Sequence, residues 1–369
     1  MGIGPTPPRR RAADQMQLLP LEAPWPGIVR SPSEISAPAN AFADSLNFML
    51  RAQRIITRPK LGLQTAPPDG YPIRGLSTFE DTLNNLHTLI LTPKTAYSLT
   101  AGYTYNTLTG DLQALSFRPY ALAGILRRIY FCNGGQKISY ADGSDTVGDA
   151  NACAGARFLG VLGGHLVAAY TTEPAPGTSG AQDFPYRVRW SASGDPDVWT
   201  GDFTAGFADL VEVQDDLTGL MVLGYYGYLL RSNGVTVMQP TGSGAAPFYF
   251  IQYSNAPRGI GTSYPYSVSV YGNLGAFVGN DDVYTFDGMS FTPIGRAVKT
   301  AIFADLYAST DHVIGQIIPG FGQGFVLLSY LLAIPGPNVI WMYNLEEGSW
   351  VRLRVPGESL TALNSVAVA

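Results

Sequence analysis

The residues with the densest chemical potential lie in one stretch, Arg189-Trp190-Ser191-Ala192-Ser193-Gly194-Asp195-Pro196-Asp197-Val198-Trp199. Gly194 followed by Asp195-Pro196 forces a turn, and an aspartate at such a point accepts hydrogen bonds from neighbouring backbone N–H groups. Trp190 and Trp199 then stand as anchors on either side. Trp190, Ser191, Gly194, Asp195, Pro196 and Trp199 therefore read as a structural turn, and no catalytic, cofactor-binding or metal-binding residue is expected.

The other candidates for chemistry are weaker. A sialidase Asp-box also places Ser, Asp, Gly and an aromatic in a propeller turn, but in the order Ser-x-Asp-x-Gly; here Gly194 precedes Asp195, and the turn occurs once. Glycosidases need two facing carboxylates. Asp215-Asp216 and Asp281-Asp282 are adjacent in sequence, so in a strand their side chains would point to opposite faces; both pairs read as loop ends. His87, His165 and His312 are isolated and read as hydrogen-bonded structural histidines. Cys132 and Cys153 read as small buried residues rather than a metal site or a disulfide scaffold. Gly-x-Ser-x-Gly, the P-loop pattern and His-Glu-x-x-His are absent from the sequence. Gly259-Ile260-Gly261 precedes a strand rather than joining a strand to a helix, so it is not a phosphate cradle.

The elements that must position these residues are short strands. Hairpin signals recur where Asp142-Gly143, Asn233-Gly234, Asp287-Gly288 and Glu347-Gly348 interrupt apolar runs. Asn-Gly and Asp-Gly supply the positive-φ residues that a type I′ turn requires. With Gly194 these landmarks recur about every 40–60 residues, near the period of four-stranded propeller blades. The reading is all-β: a β-propeller of about six blades over residues 40–369, with a pair of β-sandwiches as the alternative. Asn40–Arg54 is ambiguous, since Phe48–Arg51 and Arg54–Arg58 flank Ala52-Gln53 like a hairpin while Phe42, Leu46, Met49 and Leu50 also fit a helix face. Ile294–Tyr307, after Pro293, reads as a helix inserted between blades.

Residues 1–39 differ from the rest. Pro5, Pro7, Pro8, Pro20, Pro24, Pro26, Pro32 and Pro38 bar this segment from a sheet interior. Leu18-Leu19, Leu21, Trp25, Ile28 and Val29 are too apolar for a tail that stays in water, so the segment reads as an extended arm lying over a surface or a neighbouring subunit. At the other end, Leu360–Ala369 reads as a strand that closes the ring by sharing a sheet with Arg54–Arg58.

Composition narrows the function. The 369 residues include 42 glycines and 27 prolines, with 46% hydrophobic and only 14% charged residues, well below the ~25% charged of an average soluble protein. A formal net charge of −5 argues against a dedicated nucleic-acid reader with a basic face. Apolar runs at Gly219–Leu230 and Phe325–Ile334 fall short of a membrane-spanning helix, and Arg9-Arg10-Arg11 is not followed by the apolar stretch of a signal peptide. Among the 23 basic residues only Lys60, Lys94, Lys137 and Lys299 are lysines; arginine is the residue of rigid interface contacts.

Several segments resemble the β-propeller tail proteins of short-tailed phages, the packaged-DNA stabilisation or tail-nozzle group. They are Asn47–Leu63 with Arg58-Pro59, Trp190–Trp199, Ala256–Gly261 followed by Tyr266–Val270, Ala276–Gly288 with Pro293-Ile294-Gly295, and Ile340–Trp350. Asp281-Asp282-Val283-Tyr284 departs from that group's aspartate-glycine-valine-tyrosine. The resemblance implies a virion structural protein made in the bacterial host cytoplasm. Its expected state is a homohexameric ring below the portal and adaptor. Such a ring retains packaged double-stranded DNA without sequence specificity and forms the conduit for its ejection. It implies no enzyme activity, no cofactor and no membrane insertion. A glycan-binding or glycan-hydrolysing propeller is the alternative reading.

Overall fold

The computed structural model describes residues 48–51, 54–57, 66–99, 104–110, 112, 117–135, 137–150, 155–174, 181–212, 215–253, 259–309, 312–319 and 328–354. The proline-rich arm (1–39), Cys153 and Leu360–Ala369 lie outside the described residues, and with them the expected closing strand.

Phe48–Arg51 (β1) and Arg54–Thr57 (β2) form a two-stranded hairpin, which settles the helix-or-hairpin ambiguity there. Six four-stranded antiparallel sheets follow, each built from consecutive strands. The first holds β3 (Gly75–Glu80), β4 (Leu86–Leu91), β5 (Ala96–Leu99) and β6 (Tyr105–Thr107). The second holds β7 (Ala121–Ile125), β8 (Arg128–Cys132), β9 (Ser139–Ala141) and β10 (Gly148–Asp149). The third holds β11 (Gly155–Leu162), β12 (His165–Pro174), β13 (Ala181–Trp190) and β14 (Gly206–Asp209). The fourth holds β15 (Leu217–Leu223), β16 (Tyr226–Arg231), β17 (Val235–Pro240) and β18 (Phe248–Gln252). The fifth holds β19 (Ser269–Tyr271), β20 (Leu274–Val278), β21 (Val283–Phe286) and β22 (Phe291–Pro293). The sixth holds β23 (Ile314–Ile318), β24 (Ser329–Ile334), β25 (Val339–Asn344) and β26 (Ser349–Arg354). The chain is a six-bladed β-propeller.

The ring is visible in what lines its centre. One cavity of about 510 Å³ touches the first strand of every blade, at Leu76, Leu122, Gly160, Val222, Val270 and Gln316. The first strand is thus innermost, and the meander runs outward. Period-2 burial does the packing. In β15, Leu217, Gly219, Met221 and Leu223 are buried while the residues between them are partly exposed. Adjacent blades then share an apolar layer: Leu89, Leu91 and Phe131 between the first and second, and Leu162, Val188 and Leu229 between the third and fourth. In β24 every residue is buried, because Tyr330, Leu332 and Ile334 face the fifth blade while Leu331 and Ala333 join a layer on the opposite face.

The helix expected over Ile294–Tyr307 lies between the fifth and sixth blades but spans only Lys299–Tyr307 (α1). Gly295–Val298 forms a turn, with the Val298 N–H donating to the Gly295 carbonyl. Ile302 and Leu306 bury the helix against Val298, Trp341 and Trp350. One turn departs from its expected geometry. Gly143, Gly288 and Gly348 adopt positive φ, but Asn233-Gly234 joins β16 to β17 with neither residue in the left-handed region. Among the described residues, Arg54–Thr57 pairs with Phe48–Arg51, and β1 lies beside β26, the outermost strand of the sixth blade.

Candidate functional site: an inter-blade turn and an apolar face

The Trp190–Trp199 segment connects the third and fourth strands of the third blade and reaches both neighbouring blades. Trp190 ends β13 and packs edge-on against Phe248 of the fourth blade, ring centroids 5.3 Å apart, while its Nε1–H donates to the Thr204 carbonyl at 3.1 Å. Trp199 is buried on the other side, in the apolar layer shared with Tyr130 and Ile138 of the second blade. Ser191 is fully buried. Its Oγ accepts from the Leu166 N–H at 3.0 Å and donates to the Ala192 carbonyl at 3.0 Å. Gly194 takes a φ of 73°, open to glycine without steric cost, and its N–H donates to the Gly164 carbonyl at 3.0 Å. Asp195 Oδ1 accepts from the Asp197 N–H at 3.1 Å, and Pro196 is buried.

Asp197, which the sequence did not single out, makes the strongest link from this turn. One carboxylate oxygen accepts from Arg128 Nη1 at 2.8 Å and the other from Tyr130 Oη at 2.9 Å, both in the second blade. Burial is the leading cause that pushes the Tyr130 phenol well above the usual range, so it acts as a neutral donor. His165 Nδ1 lies 2.6 Å from the Ser191 carbonyl, a geometry that makes Nδ1 the donor. His87 Nε2 meets Asp81 Oδ2 at 2.9 Å, and the His312 ring contacts that of Tyr266.

Several other carboxylates are also tied into local structure. Asp281 accepts from Tyr284 Oη, and Asp282 accepts from the Val283 N–H. Asp215 Oδ2 accepts from the Asn233 N–H. Glu173 accepts from Arg187, Arg189 and Thr171, and Asp209 takes a paired contact from Arg187. Among the described residues, no group of three or more His, Cys, Asp or Glu side chains is placed to hold a metal.

A second feature concerns a whole face. Because each blade is an up-and-down meander with its first strand innermost, the turns joining strands one to two and three to four all emerge at one end of the propeller. Large apolar side chains stand at the tips of these turns. Tyr225 is 85% exposed, Met289 81%, Leu83 78% and Phe203 75%, with Leu126 and Tyr271 also exposed. Leu83, Leu126, Tyr225 and Tyr271 belong to the innermost turns and so surround the channel mouth. The Leu126-Arg127 turn reaches left-handed φ values of 51° and 59° without glycine or asparagine. Exposed carboxylates share this face at Asp145, Asp195, Asp287, Glu346 and Glu347, against the exposed guanidinium of Arg127.

Fold and site define a six-bladed propeller whose polar side chains brace its blades and whose one face is apolar and acidic. No protein-family model matches the chain, and no curated protein does. Solved structures with a similar fold include apo AztD from Citrobacter koseri, at 9% identity and a TM-score of 0.43, covering 78% of this chain and 75% of that one. PorZ, a surface component of the type-IX secretion system of Porphyromonas gingivalis, matches at 10% identity and a TM-score of 0.45 over 77% of this chain and 33% of its own. A structure of a nidogen/laminin complex matches at 8% identity and a TM-score of 0.39 over 73% and 93%.

Proposed function

We propose that this protein is a phage virion structural protein, a tail hub or nozzle subunit that assembles into a homohexameric ring below the portal and adaptor. The ring retains packaged double-stranded DNA and forms the conduit for its ejection. The observation that carries the docking role is the collar of exposed apolar turn tips on one face. Isolated large exposed side chains are ordinary, but a set gathered at one end of a domain marks an interaction surface. The phage context comes from the sequence resemblance to short-tailed-phage propellers.

The conduit has to run between copies rather than through one. A duplex whose major groove alone is about 12 Å wide does not fit a central cavity of about 510 Å³. A ring of copies supplies the wider opening, and head-to-tail contacts close such a ring. The reading is tested by detecting the chain in purified virions and by the mass of the full-length protein in solution. A chain missing from virions that encode it would overturn the assignment.

A further inference from the structure

We infer that the apolar, acidic face of one copy is the docking site for the proline-rich N-terminal segment, residues 5–30, of the neighbouring copy. The inference rests on the ring-forming reading above and names the partner of that same face.

Three observations converge on this occupant. The first is chemistry. Pro-rich segments are recognised by aromatic-lined surfaces, because their extended conformation costs little entropy to hold. The face offers Tyr225, Tyr226 and Tyr271 around the channel mouth, with Met289 beside them on the same end. The segment carries Pro5, Pro7, Pro8, Pro20, Pro24 and Pro26 with Leu18, Leu19 and Trp25. Its prolines bar it from a sheet interior and remove ladder donors, which favours side-chain docking over strand pairing.

The second is charge. Arg9-Arg10-Arg11 adjoins Pro7-Pro8 in the sequence. The face presents exposed carboxylates at Asp145, Asp195, Asp287, Glu346 and Glu347. A basic cluster beside a proline pair matches an acidic rim around aromatic tips, and complementary charge sets register and partner choice.

The third is reach. The segment leads into β1 at Phe48, beside β26 on the outside of the sixth blade. The stretch before it can extend roughly 150 Å at ~3.3 Å per residue. A domain of this size is roughly 50 Å across. The chain ahead of Phe48 is therefore long enough to reach from the sixth blade across a neighbour's face, a heterologous contact of the kind that closes rings.

The test uses the full-length chain with a photo-crosslinking amino acid in place of Met289, in a mixture of ¹⁴N- and ¹⁵N-labelled protein. Cross-links between Met289 of one copy and residues 5–30 of another are expected. In parallel, deletion of residues 1–30 and the triple variant Leu126→Ser, Tyr225→Ser, Met289→Ser are each expected to weaken self-association at least tenfold. Circular dichroism checks that the blades stay folded. If the triple variant dissociates the assembly but the deletion does not, the face is an interface and the N-terminal segment is not its occupant. Cross-links within one copy, or to any segment other than 5–30, overturn the inference in the same way. If neither change affects self-association, or the chain stays monomeric, the docking reading falls together with it.

Discussion

Asp197 and Tyr130 join two blades: the Tyr130 phenol of the second blade donates to a carboxylate oxygen of the third at 2.9 Å, while Arg128 binds the other oxygen at 2.8 Å. The contact holds the Trp190–Trp199 turn against its neighbour and gives the turn a structural role. Asp197→Ala leaves a buried phenol and a partly buried guanidinium without their acceptor. It is expected to destabilise the fold by about 1–3 kcal/mol, the scale of hydrogen bonds to a charged group. Denaturant titration measures this, and Tyr130→Phe should cost less than Asp197→Ala.

Asp195 does less. Its exposed carboxylate accepts the Asp197 N–H within the turn, a local cap worth about 0.5–2 kcal/mol. Asp195→Ala is expected to lower stability by that amount without altering self-association. Unchanged stability together with the loss of a hydrolytic activity would refute the structural reading of the turn.

Gly315 tests the closeness of the fifth and sixth blades. It is the second residue of the innermost strand of the sixth blade, where a Cβ would overlap the Tyr330 hydroxyl and the carbonyl of Ser267, which leads into the fifth blade. Gly315→Ala has to push the blades apart, and overpacking of this kind costs about 1–3 kcal/mol. Gly194→Ala meets no neighbouring atom, but its φ of 73° disfavours a side chain. That variant should lose about 1 kcal/mol by strain alone. Thermal melts of the two variants separate these causes.

Asp81 gives the fold an acid limb. His87 foremost, then the Asn85 side chain and the Asn85 and Leu83 N–H groups, hold its carboxyl well below the usual carboxylate range. A folded-state value below the unfolded value of ~3.9 means that stability is fully present above about pH 4. It is lost as pH falls through the folded value. Asp81→Asn is expected to melt at lower temperature than the parent at pH 7, with the gap narrowing as the pH is taken below 4. A gap independent of pH would show that the carboxylate charge plays no part.

Much of this architecture was legible before the structure, for identifiable reasons. Asp287-Gly288 and Glu347-Gly348 marked real hairpins because each glycine does enter positive φ. Asn233-Gly234 marked a hairpin too, by a different turn geometry. The helix after Pro293 was visible in Val298, Ile302 and Leu306, but its start was not, since the Gly295–Val298 turn shares the same apolar residues. Asp197 was missed because its partner Arg128 lies 69 residues away, beyond any local pattern. The Leu126-Arg127 turn was missed because nothing in those residue types signals left-handed backbone. The apolar face was illegible because alternation along a strand reports which side of a blade a residue faces, not which end of the ring its turn reaches.

Duplex DNA binding by the isolated chain is expected to be weak, independent of sequence and only shallowly dependent on salt. A net charge of −5 leaves few phosphate contacts to release counterions. Fluorescence anisotropy with two unrelated duplexes at two salt concentrations reads this. A sub-micromolar, sequence-selective complex at physiological salt would contradict a conduit role.

Native mass spectrometry of the full-length chain most directly tests the proposed assembly of this propeller into a ring through its apolar face. A discrete assembly of six copies, dispersed by the Leu126→Ser, Tyr225→Ser, Met289→Ser variant, is the expected result; a chain that stays monomeric at concentrations of tens of micromolar would contradict it.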